Sequence, residues 1–239
     1  MKSDRSFYSS AAALNLAVMF AGFFAFYTSG RGAGGRIIDP GIMAVVIVHG
    51  MGITAWYVLS LVQSLLITVK NRKLHMKLGW SAVALLPVIA VSGVLVAIRS
   101  AQGAGDFVFF GMRYADFLLV MLVEIAVFTL LVVAGLLQRK QPAKHRAMML
   151  CASLSLLLGA TTRLPFLVAL FGGHDSRMAF FGPVFVLAAV LLLVRSVMTR
   201  TVDRWYAGGA VFMAASYLAA EQLSRTDTWR HLAGMLLKG

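Results

Sequence analysis

Cysteine is nearly missing from this chain. Cys151 stands alone, which excludes an intrachain disulfide and a thiolate metal cluster. Acidic residues are scarce as well: nine, against 22 lysines and arginines. Charged residues of both signs make up 13% of the chain, about half of what an ordinary soluble domain carries. Signature loops are missing too. No Walker A or GxGxxG opens a helix, no GxSxG marks a nucleophile elbow, and no HExxH offers a zinc site. The paired HxxxH and HxxHH motifs of a di-metal desaturase are absent. Five scattered histidines and one cysteine leave few ligands for a closed metal site.

What fills the sequence instead is apolar: 60% of the residues are hydrophobic. Runs of about 20 apolar residues suffice to cross a bilayer. Seven segments qualify: residues 9–29, 40–69, 78–98, 114–137, 145–171, 178–197 and 205–220. The loops between them alternate in charge. Lys70, Arg72, Lys73 and Lys77 follow the second segment, and Arg139, Lys140, Lys144 and Arg146 follow the fourth. Arg195, Arg200 and Arg204 lie around the turn between the sixth and seventh. The other loops are Gly-rich turns with fewer basic residues, at Arg31, Arg36, Arg99, Arg113 and Arg177, and with Asp39, Asp106 and Asp175. The net charge of +13 is therefore a positive-inside pattern and not a nucleic-acid footprint. Lys2 and Arg5 lead straight into the first segment, which reads as a retained helix and not a cleaved signal. The expectation is an all-α, polytopic transmembrane bundle of seven helices over residues 1–222, with a cytoplasmic N-terminus. Residues 223–239 are expected to form an amphipathic tail, either lying in the membrane interface with Leu223, Trp229, Leu232, Met235 and Leu236 inward and Arg225, Arg230 and Lys238 toward water, or frayed. The expected setting is a bacterial inner membrane. The expected partners are the bilayer, anionic lipid headgroups at the basic loops, and a larger membrane complex or a second copy.

The chain is organised around residues 40–68, an apolar run with a polar seam. His49, Trp56, Ser60 and Gln63 sit at offsets 0, 7, 11 and 14, which fall on one face of a helix. Such a seam should face other helices. His49, Glu124 and Arg163 come from three different spans. Counted from the non-cytoplasmic ends, each lies roughly 10–14 Å deep at 1.5 Å per residue. The depth predicts a Glu124–Arg163 ion pair, with His49 within reach and Thr162 and Trp56 beside it; the alternative is a pair that only fixes helix register. Pro165 loosens the helix at Thr161. Asp116 either lines an entry path or pairs with Arg113. Asn15, Ser216 and Tyr217 are candidates for interhelical hydrogen bonds.

Two further histidines, His75 and His145, each open a span from a basic loop. RKLHMKLG and AKHRAMML are similar, as a duplicated helical hairpin would make them. Bis-histidine haem ligation from two helices needs this layout, and so does capture of an anionic headgroup. His174 and His231 read as surface residues.

His49–Trp56–Gln63, LHMKLGW (residues 74–80) and KHRAMML (residues 144–150) together resemble a group of multi-helix bacterial membrane proteins of unassigned function. These share an HG-x-W-x-Q helix, an LH-x-x-LGW loop and an H-(K/R)-x-x-M loop. The pattern covers the second to fifth segments and is loosely similar to cytochrome b561-type and ferric-reductase-like bundles. That resemblance implies haem b on histidines. It departs from b561 in having only His49 in the outer half of a span, which argues against two haems stacked across the bilayer.

Three functions stay open on sequence: a haem- or metal-binding redox or sensor protein using His75 and His145, a proton-coupled carrier using His49, Glu124 and Arg163, and an accessory subunit of a membrane complex. A metal-dependent hydrolase would need three converging histidines, and the basic-loop pair lies across the membrane from His49. The loop charges make a prediction. Reporter fusions after Lys73 and Lys144 read cytoplasmic, and a fusion after Gly103 reads the opposite side; a cytoplasmic readout at Gly103 overturns the helix count or the orientation.

Overall fold

The computed structural model describes residues 2–32, 37–105 and 107–238, with the backbone alone for 2–5. Arg36 and Asp106 lie outside the described residues, and so do the side chains of Lys2 and Arg5. Helices dominate: α1 (Lys2–Ser29), α2 (Pro40–Thr68), α3 (Arg72–Gln102), α4 (Tyr114–Leu137), α5 (Pro142–Ser155), α6 (Leu158–Thr161), α7 (Pro165–Leu170), α8 (Arg177–Thr199), α9 (Arg204–Leu223) and α10 (Asp227–Leu237). A two-residue hairpin, β1 (Val108–Phe109) and β2 (Met112–Arg113), joins α3 to α4. Among the described residues, five helices are long and apolar enough to cross a membrane: α1, α2, α3, α4 and α8.

The starts of these helices follow local chemistry. Pro40, Pro142 and Pro165 each occupy a first turn, where a missing N–H costs nothing. Asp39, Asn71, Ser176, Asp203 and Thr226 cap helices by accepting from backbone amides. Lys70, at φ 62°, turns the chain from α2 into α3 within three residues.

The expected span 145–171 is one run of sequence but three pieces of structure. Pro165 drives Leu164 into extended backbone, at φ −98° and ψ 101°. Hydroxyls take up nearby carbonyls: Thr161 donates to Leu157 and Leu158, and Thr162 to Gly159. Gly22 of α1 crosses the Ala160 backbone so closely that any Cβ there would overlap it. The break therefore lies inside the bundle, where irregular backbone at membrane depth is tolerated.

α2 packs on α3, α4 on α5, and α9 against both α4 and α5. Trp56, Tyr57, Phe128, Tyr206 and Tyr217 are fully buried between them. The tail helix α10 packs on the bundle through one face. Trp229 and Ala233 pack on Ala97, Ala101 and Leu118, and the Trp229 indole donates to the Ala115 carbonyl at 3.0 Å. Leu232, Met235 and Leu236 stay exposed. Tyr217 donates to the Ser155 carbonyl at 3.1 Å, whereas Asn15 is buried without a hydrogen-bond partner among the described residues.

A buried ion pair closes the α8–α9 turn. Arg195 Nε donates to Asp203 Oδ2 at 2.8 Å, with the two side chains 7% and 6% exposed. The Tyr8 hydroxyl donates to the same carboxylate oxygen at 3.3 Å, and the Arg195 guanidinium lies 5.0 Å from the Tyr8 ring centre. The other carboxylate oxygen caps α9 through the amides of Trp205 and Tyr206. Removing one partner of such a pair strands a buried charge at a cost of about 3–5 kcal/mol, while removing both is nearly neutral. Arg195→Met therefore lowers the unfolding free energy in detergent by that order. Arg195→Met with Asp203→Asn, which keeps a capping side chain, restores most of it; a double variant as weak as the single refutes the assignment.

Candidate functional site

The polar seam of α2 divides among three contacts. At its upper end His49 Nδ1 lies 3.1 Å from Ser92 Oγ on α3. Gly93 permits this approach, since a Cβ there would stand 3.0 Å from His49 Cε1. In the middle, Ser153 of α5 gathers three α2 side chains. The Trp56 indole donates to its hydroxyl at 3.2 Å, Tyr57 donates to its carbonyl at 2.7 Å, and the Ser60 hydroxyl lies 3.4 Å from its own. Phe128 of α4 meets Trp56 edge to face at 4.9 Å. At the lower end Gln63 reaches His75.

The His75 and His145 rings stand 6.3 Å apart between centres, with their planes at 87°. His145 Nδ1 lies 2.8 Å from the Gly135 carbonyl of α4. A carbonyl only accepts, so this nitrogen carries a proton, and Nε2 points away from the bond. His75 Nδ1 has the same relation to the Gln63 carbonyl of α2, at 3.3 Å. The Gln63 amide adds a second choice. With its nitrogen 3.1 Å from the His75 carbonyl and its oxygen 3.0 Å from the Gly79 amide, that nitrogen also abuts His75 Nδ1. Donation from the amide puts the ring proton on Nε2; donation from the ring to the Gln63 carbonyl frees Nε2. Gln63 thus selects the His75 tautomer.

Two imidazoles anchored through Nδ1 are the donor type that a haem takes. Anchoring Nδ1 on a backbone carbonyl is how proteins orient a histidine whose Nε2 binds metal. Two axial nitrogens stand about 4 Å apart, twice a metal–nitrogen bond of ~2 Å, and ring centres at 6.3 Å are on that scale. No group of three or more histidine, cysteine or acidic side chains converges among the described residues. A structural zinc wants four protein ligands, whereas a haem brings its own equatorial donors and needs two. Arg72 lies within electrostatic range of His75 and is available to a propionate.

The deeper cluster assembles differently from the expectation. Glu124 and Arg163 face the same interior and lie within electrostatic range, but they do not approach within 4 Å. The ion pairs among the described residues are Arg113–Asp116, Arg177–Glu221, Arg225–Glu221, Arg195–Asp203 and Arg230–Asp227. The expected contact pair is therefore not formed. Arg163 sits at the helix break, so its guanidinium turns back to the Gly159 carbonyl and stacks 4.5 Å from the Phe23 ring centre. Thr162 is spent on the same carbonyl, and His49 bonds Ser92 instead of joining the cluster. Asp116 takes the Arg113 alternative, with two bonds of 3.0 Å. His174 rests on Phe110, and His231 is exposed.

Sequence reasoning missed Ser153, Asp203 and Glu221. Asp203 carried a readable signal as an N-cap ahead of RWY. Ser153 carried none. No protein-family model, curated protein or solved structure matches this chain. Ser153→Ala leaves its carbonyl bond to Tyr57 intact but strands the buried Trp56 N–H. The expected loss is about 1–3 kcal/mol of stability, read as a lower thermal midpoint in detergent; an unchanged midpoint shows that the hydroxyl is dispensable.

Proposed function

We propose that this is a seven-span protein of a bacterial inner membrane, N-terminus inside, that binds one haem between His75 and His145 and serves as a small redox or sensor protein. The observation that carries the proposal is the facing pair of imidazoles, each tied through Nδ1 to a carbonyl of the preceding helix. A haem b bound there would supply one-electron chemistry. The chain's own part is to hold both rings at a fixed height, to keep Nε2 unprotonated, and to exclude water with the Trp56–Phe128 layer above. The α2–α5 contact at Ser153 supports the first role, and the Gln63 and Gly135 carbonyls at the two Nδ1 atoms support the second. A further reading, a proton-coupled carrier working through His49, Glu124 and Arg163, rests on the gap between Glu124 and Arg163. It predicts a colourless protein, as does an accessory subunit.

Absorption spectra and metal analysis of protein purified from haem-replete cells test the proposal. The expected result is a Soret band with about one iron per chain, a stoichiometry set by the two-ligand geometry. His75→Ala and His145→Ala each remove it, while His49→Ala retains it. Gln63→Glu keeps the haem and lowers its midpoint potential, because a carboxylate on Nδ1 makes the ligand more basic. A colourless, metal-free wild-type protein rejects the haem reading.

A further inference from the structure

We infer that the groove between α4, α5 and α9 is a seat for one anionic phospholipid, with its phosphate at Lys144 and an acyl chain over Gly208. The groove is about 550 Å³, within the usual range of small-molecule sites, roughly 300–1,000 Å³. Its walls are apolar over most of their length, with Leu130, Ala134, Met148 and Phe212 facing in. One end alone is polar, where Gln138, Lys144 and Trp205 meet.

That end is cationic. Lys144 Nζ stands 4.4 Å from the Trp205 ring centre, and the Arg204 guanidinium stands 5.1 Å from the same ring. Arg139 and Lys140 lie exposed on the α4–α5 turn beside Gln138. The nearby acid, Asp203, is committed to Arg195 and to the α9 cap. A neutral headgroup gains nothing from such a surplus, whereas a phosphate diester with no balancing ammonium does. Trp205 belongs at headgroup level, where an amphipathic ring is favoured.

The floor supports the same occupant. Gly209 is required by packing, since a Cβ there would lie 2.7 Å from Cys151 Sγ. Gly208 is not: a Cβ added to it meets nothing within 4 Å. A glycine inside a helix costs about 1 kcal/mol relative to alanine, and Gly208, in the second turn of α9, leaves the groove floor as bare backbone. An acyl chain in the groove lies across that backbone.

Native mass spectrometry and thermal unfolding of the full-length protein test this, with phosphatidylglycerol and phosphatidylcholine added separately at equal concentration. Phosphatidylglycerol is expected to remain bound at one per chain and to raise the unfolding temperature; phosphatidylcholine and inorganic phosphate do neither. Gly208→Phe fills the groove and lowers phosphatidylglycerol retention at least fivefold. Lys144→Gln, at the rim and away from the packed core, lowers it comparably, and Lys144→Arg restores it. Equal retention of the two lipids, stabilisation by phosphate alone, or undiminished retention in a folded Gly208→Phe or Lys144→Gln protein overturns the inference. The measurements do not depend on haem content.

Discussion

The contact between α2 and α5 at Ser153 sets the height of everything around it. In hydrocarbon a polar group has no water to fall back on, so an indole N–H, a phenol and two hydroxyls converge where they can satisfy one another. That convergence fixes the axial register of the two helices. Gln63 lies seven residues beyond Trp56 on α2, and His145 lies eight residues before Ser153 on α5. At 1.5 Å per residue both fall roughly 10–12 Å from the anchor, on the same side of it. The level at which His75 and His145 face one another follows from a serine two turns away.

The histidine pair is built from two copies of one device. In each, a helix ends, a basic turn follows, and a histidine in the first turn of the next helix reaches back to a carbonyl of the helix just left. His75 reaches Gln63 and His145 reaches Gly135. The similar loops RKLHMKLG and AKHRAMML are thus similar in what their histidines do. Each hairpin fixes only one imidazole; it is the packing of the hairpins on each other that makes a pair.

Apolar run lengths made most of the long helices legible in the sequence, because that signal is local. The common level of His75 and His145 was legible for the same reason, since each ring sits in a first turn beside a basic loop; their contact comes from packing between the hairpins. The break in the fifth span was only half legible. Pro165 announced the kink, but the packing of Gly22 on Ala160, which seats the broken segment, is a contact between distant residues. The ion pairs show the limit most clearly. Shared depth placed Glu124 and Arg163 in one slab, and in the structure they lie within electrostatic range without contact. Depth says nothing of which way a guanidinium turns, and at a helix break the nearest acceptor is its own turn's carbonyl. Arg195, near the end of its apolar run, found a carboxylate because Asp203 was already fixed as the cap of α9.

The short helix α5 carries two surfaces that its neighbours keep apart. Lys144 and His145 are adjacent, so their side chains leave the helix about 100° apart. Lys144 points to Trp205 of α9, and His145 points toward His75 of α3. Below them Met148 lines the groove, while Ser153 holds α2. α5 is only 14 residues long and ends at the first break of its span, so it lacks the support of a continuous helix beyond Ser155. Its rotation about its own axis is held by the Ser153 contacts, the His145–Gly135 bond, the Tyr217–Ser155 bond and the packing of Cys151 on Gly209. A rotation that moved Lys144 toward an occupant of the groove would turn His145 by the same angle relative to His75. The groove and the histidine pair therefore share one helix turn, without any side chain running between them.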